Sequence, residues 1–569
     1  MIHLFKWSIT LLSFALLFYL AGCSVDDPYT PETPDTPEIP GGTTVEIHSF
    51  SFQKSNNPKL VGDVNFTVDQ SSKTITGYID TWIDSTDPDQ FKANFTTTTG
   101  ATVYVGNQVQ VSGTTINTFE EGQLKYTVKL SEDVKSEYTV IVLCPQIMTE
   151  LPVMRFSVNL SAITSKEVYN KTKLEIIDNG IGGDTWSYDK ADVEIRLRGN
   201  STMGLPKKPF RIKFPDKVSP LGLTHAKEKS WVLLANDADK SLLRNAVAFT
   251  ISRTLLKTGD PFHNNKAVLF TAATQHVHVY VGDKYQGLYH LTDQIQRTSA
   301  SDYTSGTGRV NLQNPGTSGN GLTGGYLVEL DGFAYSEFTY FKTPKGLPIT
   351  LKYPELDEEY TDQDLAFADT RFVYIKDCFA TAENSIFAAN YANLIDGWRK
   401  YFDQSTLVDY YIISEFTGNP DSWWSTYMYK LRDTDSEKLF FGPVWDFDIA
   451  FNNDKRLGDA VDKLMLTNAH DPKIWMTQFF KDVSLKSAVK ARWNSKKVEL
   501  RTNALASVSD AAAVMSMSVE ANFKRWNIGS QALGHAAQCN YTKHQEALDD
   551  LKAYINDRYN YLDGIFNGW

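Results

Sequence analysis

At 569 residues, with 42% apolar and 13% aromatic content, the chain is too long for a single core and has enough material for two or three. A formal net charge of −12 gives no basic footprint for a phosphate backbone, so the composition argues against a nucleic-acid partner.

The N-terminus reads as an address. Lys6 precedes the apolar run WSITLLSFALLFYL, which is too short to span a bilayer comfortably, and LAGC follows from Leu20 to Cys23 at a cleavage position. The segment resembles a bacterial lipobox. That implies a lipoprotein signal peptide over 1–22 and lipidation at Cys23, with membrane attachment through acyl chains; a plain signal peptide with an incidental cysteine is the alternative. Residues 23–44 alternate Pro with Thr and acids, a composition that buries no core and forms an extended linker. Asp26 and Asp27 resemble the acidic export signal of surface lipoproteins in Bacteroides-like bacteria. They imply an outer-membrane or cell-surface location, with the periplasmic face as the alternative. Cys144, Cys378 and Cys539 lie far apart with no metal-ligand spacing, so at most one bridge forms and no zinc site is indicated.

Residues 45–145 form the first folded unit. TVYVGNQVQV places Val103, Val105, Val109 and Val111 on one face, and LKYTVKL and EYTVIVL repeat the alternation between polar turns. The pattern predicts a small antiparallel β-sandwich, and it resembles the Ig-like modules of secreted bacterial lipoproteins, which implies a spacer or a carbohydrate-facing module.

Chemistry is expected in residues 150–569. In VEIRLRGNSTMGLPKKPFRIKF, Val193, Ile195 and Leu197 alternate in one strand and Phe210, Ile212 and Phe214 in the next. Parity puts Arg196 and Arg198, with Arg211 and Lys213, on the opposite face. A hairpin with a basic face and a donor-rich turn can cradle phosphate, or can simply be a solvated charged face. Leu242 to Leu255 predicts a buried helix with Asp239 and Ser241 as caps, and VHVYVGDKYQGLYHLTDQI predicts a strand pair turning at Gly282 and Asp283. GGYLVELDG adds a short strand, and LVDYYIISEFTGNPDSWW a helix broken at Asn419-Pro420.

STYMYKLRD, TDSE and KLFFGPVW then predict a β-hairpin centred near Asp435, in which facing residue numbers sum to about 870. Asp421 and Asp446 therefore close its open end. If VWDFDIAF stays extended, Asp446 and Asp448 share one face about 7 Å apart while Trp445, Phe447 and Ile449 take the other. Carboxylates gathered against apolar walls repel one another unless protonated or paired with cations, and Mg²⁺, with its preference for hard oxygen ligands and phosphates, is a natural partner. Turn capping or salt bridges to the basic hairpin are the structural alternative.

These segments carry a resemblance. RLRGNST…KKPFRIKF, WVLLANDADKSLLRNAVAF, YQGLYHLTDQI, GGYLVELD, EFTGNPDSWWSTYMYK and GPVWDFDIAF, in order over about 190–455, resemble the CotH kinase family, named for a bacterial spore-coat protein. The resemblance implies an α+β fold with an atypical protein-kinase-like domain, here preceded by the all-β module, and Mg²⁺ and ATP as cofactors. It implies Asp421 as base or orienting acid, Asp446 as metal ligand assisted by Asp448, and Arg198, Lys208, Arg211 and Lys213 as phosphate contacts. Ordinary kinases show a parallel arrangement. The chain departs from them in having no G-x-G-x-x-G loop, in carrying Asp293 where a Glu is expected in the nucleotide site, and in placing Ser425 near the position of a metal-binding Asn.

Two functions follow. One is phosphoryl transfer from ATP to Ser or Thr of a secreted or surface protein. The other is a non-catalytic lipoprotein that binds glycan or protein, for which the aromatic runs SWW and RWNIG suit sugar stacking. A glycosidase using Asp421 and Asp446 has only its paired acids for support. Past about residue 460 the pattern is helical, with Leu548, Leu551, Ile555 and Tyr559 on one face.

Overall fold

A computed structural model describes residues 44–180, 188–223, 227–256, 260–263, 270–299, 309–530 and 541–569. The expected signal peptide over 1–22, Cys23, nearly all of the expected linker, and Cys539 lie outside them. Cys144 and Cys378 are free thiols.

The N-terminal module stacks a three-stranded sheet, centred on Ile47–Phe52, with a six-stranded one built around Gln123–Lys129 and Lys135–Leu143. The predicted alternation is what fills its core. Tyr126, Val128, Tyr138, Val140 and Val142 are buried with Ile47 and with Phe52, whose ring stacks on Phe91 at 4.4 Å. Two expectations fail here. Val103 to Val111 is not one face, because the chain reverses after Val105 at Gly106, whose φ of +57° suits glycine, and Val109 and Val111 are left exposed. The sheet is also not purely antiparallel. Thr74–Tyr78 lies parallel to Lys135–Leu143, a pairing that the long crossover between them permits.

Seven strands from Val153 to Asp293 close into a barrel. In it Tyr188–Leu197 pairs with Phe210–Val218 in the register Ile195↔Ile212, Arg196↔Arg211, Leu197↔Phe210. Val193, Ile195, Leu197, Phe210, Ile212 and Phe214 are all buried, so the basic residues take the other face, as parity requires. The barrel and the N-terminal module are joined by more than a covalent link. Trp82 N donates to Asp283 O at 2.8 Å, Tyr285 N to Asp80 O at 2.8 Å, and Trp82 packs in one apolar cluster with Tyr280, Tyr285 and Met517.

The remainder is a five-stranded sheet in the order Tyr340–Lys342, Pro348–Tyr353, Tyr326–Leu330, Thr426–Lys430, Leu439–Phe441. Helices Gln404–Thr417, Val483–Ala513 and His544–Asn567 share its core, and Leu548, Leu551 and Ile555 are the buried face of the last. No helix among the described residues is long and apolar enough to cross a membrane. The whole is an α+β fold.

Candidate functional site

Helix Gln404–Thr417 is buried along nearly its whole length and ends at Gly418, which has a left-handed φ of +58° and no room for a Cβ against the Tyr554 hydroxyl. The turn that follows presents Asp421. Asn419 organises this turn and reaches beyond it, accepting from Asp421 N at 3.1 Å through Oδ1 and donating to Asp446 O at 3.1 Å through Nδ2. One side chain thus ties together the two segments that carry acids.

The hairpin between those segments pairs Met428↔Phe441, Tyr429↔Phe440 and Lys430↔Leu439, each summing to 869, one below the value expected from the sequence. Beyond Phe441 the chain leaves the sheet, so the extended geometry expected for VWDFDIAF is not found. Asp446 has a left-handed φ of +73°, Asp448 opens a turn, and the backbone groups are taken up by side chains instead of a strand. Phe447 N donates to Asn245 Oδ1 at 2.8 Å, Asp448 O accepts from Asn453 Nδ2 at 2.8 Å, and Ala450 O accepts from Arg244 Nε at 3.1 Å. Asn245 and Arg244 open helix Arg244–Leu255, and Asp239 Oδ2 accepts from the Arg244 amide at 2.8 Å. The ANDADKSLLRN loop thereby acts as the mould for the acid-bearing segment.

The structure brings Asp421, Asp446 and Asp448 within electrostatic reach of one another. Asp446 keeps solvent access while surrounded by protein. Burial raises its pKa and Asp421 and Asp331 add to the rise, against Arg198. Asp448 is pushed up to about 8 by burial first, then by Asp446 and Asp239. Ser425 Oγ approaches Asp446 Oδ2 at 3.4 Å. Among the described residues no cluster of three or more His, Cys, Asp or Glu is placed to hold a metal alone. The pair Asp446 and Asp448 still fits Mg²⁺, which is held by one or two carboxylates and completes its shell with water and phosphate oxygens. A cation would offset the burial and the carboxylate repulsion that together raise both acids.

Across from them, the Arg198 guanidinium stands 5.7 Å from the Trp445 ring. Arg211 is affected by both Arg196 and Arg198, and Nε of Arg196 and of Arg211 are buried without a hydrogen-bond partner among the described residues. Two guanidinium groups with an unmet Nε donor, near that of Arg198, suit an anion such as a polyphosphate. The other basic candidates are engaged elsewhere. Lys208 Nζ donates to Met203 O at 2.8 Å, and Lys213 is exposed with Nζ 5.7 Å from the Tyr169 ring. Asp293 is fully buried, accepts from Ala273 N at 2.8 Å and stands 3.9 Å from Arg309 Nε, so it has no surface to offer a nucleotide.

The family described as CotH kinase protein matches residues 195–562. The chain belongs to the CotH kinase protein family. No curated protein matches. Two solved structures show local similarity: a protein from Bacteroides thetaiotaomicron VPI-5482 described as a candidate glycoside hydrolase, and a DUF4623 family protein from Bacteroides eggerthii DSM 20697. The first has 18% identity and a TM-score of 0.14, covering 32% of this chain and 55% of that one. The second has 12% identity and a TM-score of 0.12, covering 34% and 58%. The similarity thus spans little more than half of either structure and carries no argument about fold or activity. In this CotH chain, Asn419, Asn245, Arg456 and His470 touch the acid-bearing segments, and the sequence alone assigns none of them a role at the site. Only Asn419 had a signal, its place before Pro420 at the helix break.

Proposed function

We propose that the chain is a lipid-anchored, extracytoplasmic kinase-like phosphotransferase that moves the terminal phosphoryl group of ATP to Ser or Thr of a secreted or surface protein. The observation that carries this reading is the convergence of Asp421, Asp446 and Asp448 opposite Arg198, on a chain of the CotH kinase family. Arg198 and Arg211 bind and orient the triphosphate, and Asn419 holds Asp421 and the Asp446 segment in fixed relation. Mg²⁺, when bound at Asp446 and Asp448, neutralises charge developing on the transferred group. Asp421 orients the acceptor hydroxyl in this proposal. An Ig-like N-terminal module on a Pro-rich linker, attached through Cys23 at the outer membrane, completes the reading; fatty-acid labelling that disappears in Cys23→Ser protein checks the anchor.

A non-catalytic binder of glycan or protein is the second reading. It is favoured by Lys208 and Asp293, whose polar groups are taken up inside the protein.

Thermal melting with and without millimolar Mg²⁺ and ATP, combined with a phosphate-transfer assay, separates the two. Wild-type protein should gain stability only with both ligands. Asp446→Asn should lose most of that gain, whereas Asp421→Asn should keep it and lose transfer by about 10²–10⁴-fold. No ligand-dependent shift in the wild type would favour the binding protein.

A further inference from the structure

His470 lies in a stretch that has no periodicity or motif, and it has no part in the phosphotransfer proposed for the three acids. Its Nδ1 is nevertheless 3.2 Å from Asp421 Oδ1, and its amide donates to Pro420 O at 2.8 Å, so the backbone latches the histidine to the turn that carries the acid. Asp421 also receives Arg456 Nη2 at 3.3 Å through both of its oxygens, and Asp454 anchors Arg456 by accepting from Nε at 2.9 and 2.8 Å. The His470 side chain is 31% exposed, and its Nε2 has no partner among the described residues.

We infer that His470 is the general base for the acceptor hydroxyl and that Asp421 is its positioning residue. A carboxylate only accepts, so the contact with Asp421 places the proton of the neutral ring on Nδ1 and leaves the Nε2 lone pair free. The Asp421 oxygens, already engaged by Arg456 and His470, are poorly placed to take a further proton; they fix the tautomer and stabilise the imidazolium once it forms. This assignment rests on the phosphotransfer reading. In the step, the hydroxyl oxygen bonds to the γ-phosphorus of the nucleoside triphosphate. The bond to the β–γ bridging oxygen breaks with its electron pair leaving on the diphosphate, and the hydroxyl proton passes to His470 Nε2.

The charged groups around the ring are Asp421, which has Arg456 behind it and is within electrostatic reach of Asp446 and Asp448, and, on the histidine's own segment, Asp471 and Lys473, themselves 3.6 Å apart. The test measures transfer of labelled phosphate from MgATP to dephosphorylated casein by the full chain between pH 5 and 9. It compares wild type, His470→Gln and His470→Asn, with melting curves for each. Asn keeps a donor near the Nδ1 position and so preserves the contact with Asp421, but it supplies no base. Both variants should bind MgATP as the wild type does, lose about 10²-fold or more in kcat, and lose the acidic limb of the rate profile. If His470 only holds Asp421 in place, His470→Asn will retain the wild-type rate and acidic limb, which overturns the assignment while the phosphotransfer reading stands. A wild-type protein that neither binds MgATP nor transfers phosphate overturns both. Nitrogen NMR of the ring provides a readout independent of activity: a neutral His470 protonated on Nε2 instead of Nδ1 overturns the dyad.

Discussion

His278 and His290 are buried and His276 is half-buried; the proposed chemistry uses none of them, and each is a liability in acid. Burial pushes His276 down to about 4 and His278 to about 3, and holds His290 well below the ordinary histidine range. His278 is locked between the Tyr285 hydroxyl at 2.8 Å and Ser518 Oγ at 3.0 Å. The unfolded chain takes up these protons near pH 6.5 and the folded one does not, so the neutral histidines favour folding above that pH and the advantage is lost as pH falls toward the folded values. Asp448, raised to about 8, has the opposite sign, so the wild-type curve alone mixes the two. Comparison with His278→Gln isolates one histidine. Urea unfolding at several pH values should show the wild type losing stability relative to the variant by about 1.4 kcal/mol per pH unit below about 6. Parallel curves would mean that His278 is already charged in the folded protein. Asp421, Asp446 and Asp448 stand out as acids in apolar sequence, whereas Arg456 and His470 sit in a segment whose composition gives no sign that it folds back onto Asp421.

Among the elements, those governed by local periodicity were legible. The hairpin Thr426–Phe441 has alternating apolar residues and a polar turn, and its register followed to within one residue. The strand pair Thr274–Val281 and Lys284–Asp293, the helix ending at Gly418, and the buried face of His544–Asn567 were legible for the same reason. Gly442–Asp448 misled because aromatic and acidic residues alternate there without a strand. Its backbone amides and carbonyls bond to Asn245, Asn419 and Asn453, partners distant in sequence, and a period-2 pattern cannot reveal such contacts. Val103 to Val111 misled in the opposite way, since its alternation continues through a turn at Gly106 that reverses the chain. The barrel's closure by Val153–Phe156 parallel to Thr274–Val281 had no local signal either, because parallel pairing joins segments far apart in the chain.

For the whole molecule, the junction at Trp82 decides how independent the N-terminal module is. Trp82 is 8% exposed, sits edge-on to Tyr280 at 5.3 Å and faces the Arg155 guanidinium at 4.7 Å, while Gln123 Nε2 meets Met517 Sδ at 2.9 Å. The sequence implies a spacer or a carbohydrate-facing module; the structure adds that the module shares an apolar cluster with the barrel. Trp82→Ala should therefore cost about 3–5 kcal/mol in a single cooperative unfolding transition. Two separate transitions in calorimetry of the wild type would show that the modules melt alone. The β-bridge between Thr81 and Lys284 carries strand pairing across the same boundary. Any ligand gripped by the N-terminal module would consequently meet Asp421 at an effective concentration set by the geometry of the fold and not by the reach of a flexible tether, so reactive hydroxyls would be sorted by their distance from the gripped point.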